Sequence, residues 1–265
     1  MTETPTPYDS YAPAFTPLER TLHEARIAVG ERRPEAARAL AARAVEMSPG
    51  DVGAWIGAAL VHRSLEENER ALSCFHRAVE VHRGNPEAWK GLADTYADLG
   101  QFQMAVDAAR EAAALAPENP TIRACFSAAL ASMDRLAEAQ AEIEEAMRLA
   151  PGNEEYSLEL ARIMRGSGQY GAAIGVLERM PRSSRKSGRC RKELTILYLL
   201  SRDYPAAVRI LGRLHEKREP SIFFRLLFHS FVRTHAARGR FQASGRISRR
   251  RRDQPASARR RGRLV

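Results

Sequence analysis

The chain has 265 residues, 44% of them hydrophobic, and carries 42 Lys and Arg against 32 Asp and Glu, a formal net charge of +10. No stretch approaches the roughly 18 consecutive apolar residues of a transmembrane helix, so the sequence predicts no membrane span. The cysteines are an odd number without CxxC spacing, which argues against a disulfide-stabilised secreted domain.

The N-terminal segment, residues 1–17, is rich in Thr, Pro and Tyr. It has neither the basic start nor the apolar run of an export signal. We therefore expect a disordered segment here and a cytoplasmic location for the protein.

A period of 34 residues runs through most of the chain. Alanine recurs at this spacing, at Ala37, Ala71, Ala105, Ala139, Ala173 and Ala207. A fixed period of this length indicates tandem copies of one supersecondary unit that stack into a solenoid. The six predicted units are 18–51, 52–85, 86–119, 120–153, 154–187 and 188–221.

Other positions keep the same register. A residue that can cap a helix N-terminus closes each unit: Asp51, Asn85, Asn119, Asn153, Ser187 and Ser221. The eighth position is always small and is expected to contact the 34-spaced alanine of its own unit: Ala25, Ala59, Ala93, Ser127, Ala161 and Thr195. Turns at Gly100, Gly168 and Arg202 separate the two predicted helices of a unit. Larger residues such as Phe75 and Leu92 are expected to fill the layer between units.

These residues resemble the tetratricopeptide repeat family. The unit 86–119 matches the family pattern best, with Trp89, Leu92, Ala93, Tyr96, Gly100, Ala105, Ala112 and Pro117. The resemblance covers residues 18–221 and implies an all-α fold, an α-solenoid of tandem helix-turn-helix units in a right-handed superhelix. It also implies a scaffold that binds other proteins. The shared residues are packing residues, so they identify no particular partner.

In this family the first helix of each unit lines an inner groove. The resemblance therefore implies these candidate peptide-binding residues: Arg26, Ile56, Leu60, Arg63, Lys90, Asp94, Ala128, Leu158, Arg162, Arg165, Lys192 and Ile196. Apolar side chains with interspersed charge suit an extended or helical peptide with apolar anchors and acidic groups. The alternative is that several of the aliphatic residues only pack against adjacent helices.

One ligand class of the family is not expected here. Members that bind chaperone C-terminal tails hold a terminal carboxylate with Lys and Asn side chains. Lys90 matches one such Lys position, but Asp94 stands where Asn would be. The departure argues against binding of chaperone tails.

The sequence contains none of the catalytic motifs GxxxxGK[ST], GxSxG and HExxH. We therefore predict a protein without enzymatic activity, bound metal or cofactor. Ordinary packing explains the remaining reactive side chains. His62 takes the place of Tyr96 in the next unit, and packing thiols are expected at Cys74, Cys125 and Cys190. A solvated helix face with salt bridges is predicted for Glu142, Glu144, Glu145 and Arg148.

The repeat is interrupted near its C-terminal end. Met180-Pro181 is expected to end the second helix of the fifth unit early, and residues 182–188 to form a basic exposed loop. Beyond the sixth unit, residues 222–238 predict an additional or capping amphipathic helix.

The basic charge belongs to the C-terminus. Residues 222–265 hold 13 Arg against Asp253 alone, whereas residues 1–221 hold 29 Lys and Arg against 31 Asp and Glu. We expect the Arg-rich tail, residues 239–265, to be disordered. Non-specific nucleic-acid binding through this tail is an alternative function. A further alternative is an out-of-frame extension of a truncated repeat, in which case the native protein continues into further repeats or an enzyme domain.

Overall fold

The computed structural model describes residues 16–215, which form thirteen α-helices and no β-strand. In chain order these are α1 (Pro17–Gly30), α2 (Pro34–Met47), α3 (Val52–Ser64), α4 (Asn68–Val81), α5 (Pro86–Asp98), α6 (Phe102–Leu115), α7 (Pro120–Ser132), α8 (Leu136–Leu149), α9 (Glu154–Gly166), α10 (Tyr170–Arg179), α11 (Arg182–Arg185), α12 (Gly188–Leu200) and α13 (Tyr204–His215). Apart from α11, the helices pack in consecutive pairs, α1 with α2 through α12 with α13. The predicted all-α array of tandem helix pairs is confirmed.

Several predictions concern residues outside the described part of the chain. These are the segment before residue 16, the Ser221 cap, the helix at 222–238 and the tail at 239–265. The end of the predicted N-terminal segment differs from expectation. Thr16 caps α1, its Oγ1 accepting a hydrogen bond from the Glu19 N–H at 3.2 Å, while the Glu19 carboxylate accepts from the Thr16 N–H at 2.8 Å. This reciprocal pair is a capping box, which fixes the start of the first helix.

The predicted N-terminal caps are confirmed at the starts of α3, α5, α7, α9 and α12. The Asp51 carboxylate accepts from the Gly53 N–H at 2.7 Å, and the Ser187 hydroxyl accepts from the Cys190 N–H at 3.2 Å. Asn85, Asn119 and Asn153 accept in the same way from the first turn of the following helix. Each bond satisfies an amide that the helix itself leaves unpaired, so the cap sets the helix boundary.

The turn within each pair contains one residue in the left-handed backbone region. The six residues recur every 34 positions, with φ between 57° and 76°: Arg32, Glu66, Gly100, Asp134, Gly168 and Arg202. In five of the turns the next N–H bonds back to the carbonyl five residues earlier, as Gln101 does to Tyr96 at 2.8 Å. This geometry closes the first helix of a pair. Four of the six positions are not glycine, and there the conformation costs roughly 1–2 kcal/mol.

The close contact predicted within each pair lies in the core. All six residues at the eighth position are at most 1% exposed, and the six 34-spaced alanines are fully buried. In the fourth unit the contact is direct, because the Ser127 hydroxyl donates to the Ala139 carbonyl oxygen at 2.7 Å. Small side chains let the two helix backbones approach each other.

Replacing Ala105 with Leu is expected to lower the free energy of unfolding by about 1–3 kcal/mol, because the added side chain must enter a filled contact. Thermal denaturation followed by circular dichroism measures the effect. Ala114→Leu is the matched control, since Ala114 is exposed on the same helix. Equal melting temperatures for the two variants would show that Ala105 does not lie at a tight contact.

Neighbouring helix pairs pack against each other where a large side chain of one pair lies on a glycine of the next. Phe75 of α4 is 1% exposed and lies against Gly91 of α5, where a Cβ atom would stand 2.0 Å from the ring carbon Cε1. At the previous junction, a Cβ on Gly57 would stand 2.5 Å from Leu22 Cδ1. The absence of a side chain at these two glycines gives the large residues their space.

The loops between the first pairs are held by another repeated contact. The indole N–H of Trp55 donates to the Pro49 carbonyl oxygen at 2.8 Å, and that of Trp89 donates to the Arg83 carbonyl oxygen at 2.7 Å. Arg123 holds the equivalent position and donates from Nε to the Pro117 carbonyl oxygen at 2.9 Å. Each side chain satisfies a loop carbonyl and connects a helix to the segment before it.

The predicted early end of the second helix in the fifth pair is confirmed, but the prediction of a loop after that helix is partly wrong. Helix α10 has 10 residues where α2, α4, α6 and α8 have 14, and Met180 at its end is extended. Proline at position 181 lacks the amide that would continue the helix. One helical turn, α11, stands where a loop was expected. The described part of the chain divides here into two compact units, one that ends at Met180 and one that begins at Pro181.

Candidate binding groove

The first helices of the pairs form one face of the unit that ends at Met180. Helix α1 contacts α3, α3 contacts α5, α5 contacts α7 and α7 contacts α9. Between residues 16 and 180, successive second helices do not approach each other to a similar extent. Helices on the inside of a curved array are the ones brought together, so the first helices line the concave side.

The predicted groove residues of this unit differ in accessibility. Arg26, Leu60, Ala128 and Arg162 are exposed, and half-buried positions are held by Ile56, Arg63, Lys90, Asp94 and Arg165. Leu158 is only 1% exposed, so it packs between helices, as the alternative interpretation allowed for some aliphatic residues. Lys192, exposed, and Ile196, half-buried, belong to the second compact unit.

Asp94 is the centre of a charged cluster on this face, hereafter the Asp94 cluster: Arg63, Lys90, Asp94, Asp98 and Cys125. Asp94 Oδ2 lies 3.1 Å from Arg63 Nη1 and 3.1 Å from Lys90 Nζ. Its other oxygen, Oδ1, accepts a hydrogen bond from Cys125 Sγ at 3.2 Å. Arg63 also donates from Nε to Asp98 Oδ2 at 2.8 Å. Three neighbouring first helices, α3, α5 and α7, thus meet at one carboxylate.

The cluster fixes the charge states of its members. Burial lowers the pKa of Arg63, but attraction to Asp94 and the hydrogen bond to Asp98 outweigh it, and the pKa is raised. The pKa of Lys90 is raised in the same way, since Asp94 outweighs burial. Burial, and then the negative charge of Asp94, raise the pKa of the Cys125 thiol far above its ordinary value. Both cations therefore stay charged at neutral pH, and the thiol stays protonated.

Asp94→Asn is expected to increase the alkylation rate of Cys125 several-fold, because removing the negative charge lowers the pKa of the thiol and the thiolate is the reactive form. Iodoacetamide labelling at a fixed alkaline pH, read by mass spectrometry of the Cys125 peptide, measures the rate. Cys74 is the internal control, because burial alone raises the pKa of its thiol. An unchanged Cys125 rate, with Cys74 also unchanged, would mean that Asp94 does not act on the thiol.

Beyond the cluster, the face carries small side chains on α7 and ion-paired arginine on α9. Ala128 of α7 is exposed and Ala124 is half-buried. On α9, Arg162 pairs with Glu159 at 3.0 Å, and Arg165 is half-buried. Such a face offers apolar contact in its centre and paired charges at α9.

The other side chains considered in the sequence have structural partners. His62 is half-buried and its Nδ1 lies 2.7 Å from Glu67 Oε2, which agrees with a packing role. Glu145 pairs with the exposed Arg148 at 2.7 Å, so the predicted salt bridge is present. Glu142 differs, because it is half-buried and pairs with Arg123 of the preceding helix at 2.7 Å.

Sequence reasoning missed the part that Cys125 has in this face. It was expected only to pack, yet its thiol belongs to the Asp94 cluster. Cys125 follows the groove position Ala124 directly, and the sixth position that it occupies is glycine in the two preceding units. A thiol at the position that Gly57 and Gly91 hold in the two preceding units is the signal that was available.

Within residues 16–215 no group of His, Cys, Asp and Glu has the arrangement needed to hold a metal ion. None of the helices in that range has the length and apolar composition to cross a membrane.

Two family models, both for the tetratricopeptide repeat, match the chain. One matches residues 22–71 and 58–120, and the other matches residues 130–192, so together they span more than half of the sequence. No curated protein is similar to the chain in sequence.

Solved structures of the same architecture are similar to the chain. A tetratricopeptide repeat protein from Parabacteroides merdae has a TM-score of 0.67 at 14% identity, covering 83% of this chain and 87% of its own. The Pseudomonas aeruginosa protein pilF has a TM-score of 0.65 at 16% identity, covering 80% and 97%. YrrB, a repeat protein with an unusual peptide-binding site, has a TM-score of 0.54 at 17% identity, covering 70% and 95%. At these identities the likeness concerns the fold.

Proposed function

Because the chain belongs to the tetratricopeptide repeat family, we propose that it is a non-catalytic scaffold that binds a peptide segment of another protein. The binding surface is the concave face of the first helices α1, α3, α5, α7 and α9. The ligand is an extended or helical segment with apolar anchors.

One observation carries this proposal: the concave face combines exposed apolar side chains with ordered charges. Leu60 is 45% exposed on α3, next to the Asp94 cluster, and Ala128 is exposed on α7. A leucine this exposed on the inner side of a helical array gains contacts when a peptide covers it. The peptide-binding site of YrrB supports the same class of ligand, since that protein has a similar fold.

The test is a pull-down with the full chain as bait. Simultaneous alanine replacement of Lys90, Arg162 and Arg165 is expected to lose the proteins that the wild type captures, because it removes two arginines from α9 and leaves Asp94 with one partner fewer at the centre of the concave face. Quantitative mass spectrometry of the captured proteins gives the measurement.

The control carries the same number of substitutions on second helices. Arg70, Arg110 and Arg148 are exposed there, each paired with a carboxylate three residues before it. Their joint replacement by alanine is expected to retain the captured proteins. Recovery of the same proteins by the groove variant would contradict binding at the concave face.

A further inference from the structure

The Asp94 cluster contains as many carboxylates as cations. Arg63 and Lys90 supply two positive charges, and Asp94 and Asp98 supply two negative ones. All four take part in ion pairs within the cluster, with N–O distances of 2.8 and 3.1 Å. The centre of the concave face is therefore electrically balanced before any ligand arrives.

An acidic ligand group gains little at such a site. To pair with Arg63 or Lys90 it must come close to Asp94, which already occupies both cations through one oxygen. The two cationic side chains are only 30% and 22% exposed, so water screens the like-charge repulsion less than at an open surface. The second oxygen of Asp94 is occupied by the Cys125 thiol, which holds the carboxylate in place.

Outside the Asp94 cluster, the positions that correspond to Asp94 on the neighbouring helices are uncharged. Leu60 on α3 and Ala128 on α7 hold the same position in their units as Asp94 does on α5, and both are exposed. Arg123 is the one charged residue of α7, and it pairs with Glu142 of α8. On α3 and α7 the accessible residues at the position of Asp94 are thus apolar or small, and Glu87 of α5 adds a further negative charge near Lys90.

Resting on the proposed peptide-binding function, we infer that Asp94 is a specificity-determining residue. Its carboxylate takes the place of a ligand anion on Arg63 and Lys90, and so excludes acidic side chains from the centre of the groove. The ligand segment that crosses α3, α5 and α7 is uncharged and apolar.

The first experiment probes the cations directly and needs no peptide. Glutarate is titrated into ¹⁵N-labelled full-length protein, and the side-chain Nε–Hε signal of Arg63 is followed by NMR. Asp94→Asn is expected to lower the half-saturation concentration at least tenfold relative to the wild type, because Lys90 and the Nη1 group of Arg63 lose their carboxylate partner, while Arg63 Nε keeps its bond to Asp98. Asp107→Asn is the matched control, since Asp107 pairs with Arg110 on a second helix, and it is expected to behave as the wild type.

Equal half-saturation in the wild type and in Asp94→Asn would overturn the inference. Asp94→Ala also removes the carboxylate. It is the variant to use if circular dichroism shows that Asp94→Asn has lost helical structure. The wild type alone also tests the inference. A saturable shift of the Arg63 signal at low millimolar glutarate would show that Asp94 does not keep an anion away from this cation.

The second experiment connects the site to peptides. Two fluorescein-labelled probes are compared by anisotropy, one of alternating Leu and Gln and one of alternating Leu and Glu. The compared quantity is the association constant of the Glu probe divided by that of the Gln probe. This ratio is expected to be at least tenfold higher in Asp94→Asn than in the wild type, and to be unchanged in Asp107→Asn. A constant ratio in both variants overturns the inference. If neither probe binds any form, the proposed peptide binding fails, while the glutarate result still decides the role of Asp94.

Discussion

Replacing Phe75 with Ala is expected to lower the free energy of unfolding by about 3–5 kcal/mol. The side chain is 1% exposed and fills the layer between the second and third helix pairs, against Gly91. Truncation removes a buried ring and leaves a cavity that the stiff helices around it close only in part. Because each pair of a repeat array is stabilised by its neighbours, loss of this interface also uncouples the pairs on either side.

Urea denaturation followed by circular dichroism measures the Phe75 effect. Phe102→Ala is the matched control, since Phe102 is 42% exposed and is expected to cost far less. A similar loss for both phenylalanines would mean that Phe75 is not the filler of a closed layer.

Gly91→Ala is expected to destabilise the protein by about 3 kcal/mol, through overpacking instead of a cavity. The new Cβ would stand 2.0 Å from Cε1 and 2.4 Å from Cζ of the Phe75 ring, which is too close for contact. A buried aromatic ring cannot move aside as a flexible chain does, so the two helices must separate. The intrinsic preference of a helix for Ala over Gly, about 1 kcal/mol, offsets only part of this cost.

The same substitution at an open position gives the control. A Cβ at Gly171 of α10 meets nothing within 4 Å, so Gly171→Ala is expected to leave stability unchanged or to raise it. Combining Gly91→Ala with Phe75→Leu is expected to cost less than the sum of the two single changes, because the smaller side chain makes room for the methyl group. Strict additivity would show that the two residues do not share one contact.

Much of the fold could be predicted because packing and capping both follow the 34-residue period. Buried alanines and N-terminal caps require particular residue types, and these types recur visibly in the sequence. The left-handed turn was predictable at Gly100 and Gly168, where glycine marks it, and Arg202 stood at a recognisable turn. At Glu66 and Asp134 no such mark exists, since the hydrogen bonds and the flanking helices impose the conformation on ordinary residues.

The candidate site was predictable in register but not in its ion pairs. The resemblance to the repeat family, applied at the 34-residue register, predicts candidate positions on the first helices, and one of them, Leu158, is buried. The partners of Asp94 are less regular: Arg63 and Cys125 each lie 31 residues away, three short of the period. Asp98 lies 35 residues from Arg63. These sequence separations depend on how far each helix is displaced along its neighbour. The 34-residue period of the sequence does not specify that displacement.

Both tryptophans of the chain, Trp55 and Trp89, are bonded to the loops that precede α3 and α5. Tryptophan fluorescence, excited at a wavelength that tyrosine does not absorb, is consequently a local reporter, sensitive to solvent entry at two loops in the N-terminal half. Circular dichroism, in contrast, averages over every helix. Since a linear array can unravel from one end, the two spectroscopic signals observe different parts of the molecule. A fluorescence midpoint taken alone describes the second and third helix pairs, and it carries no information on α7 to α13.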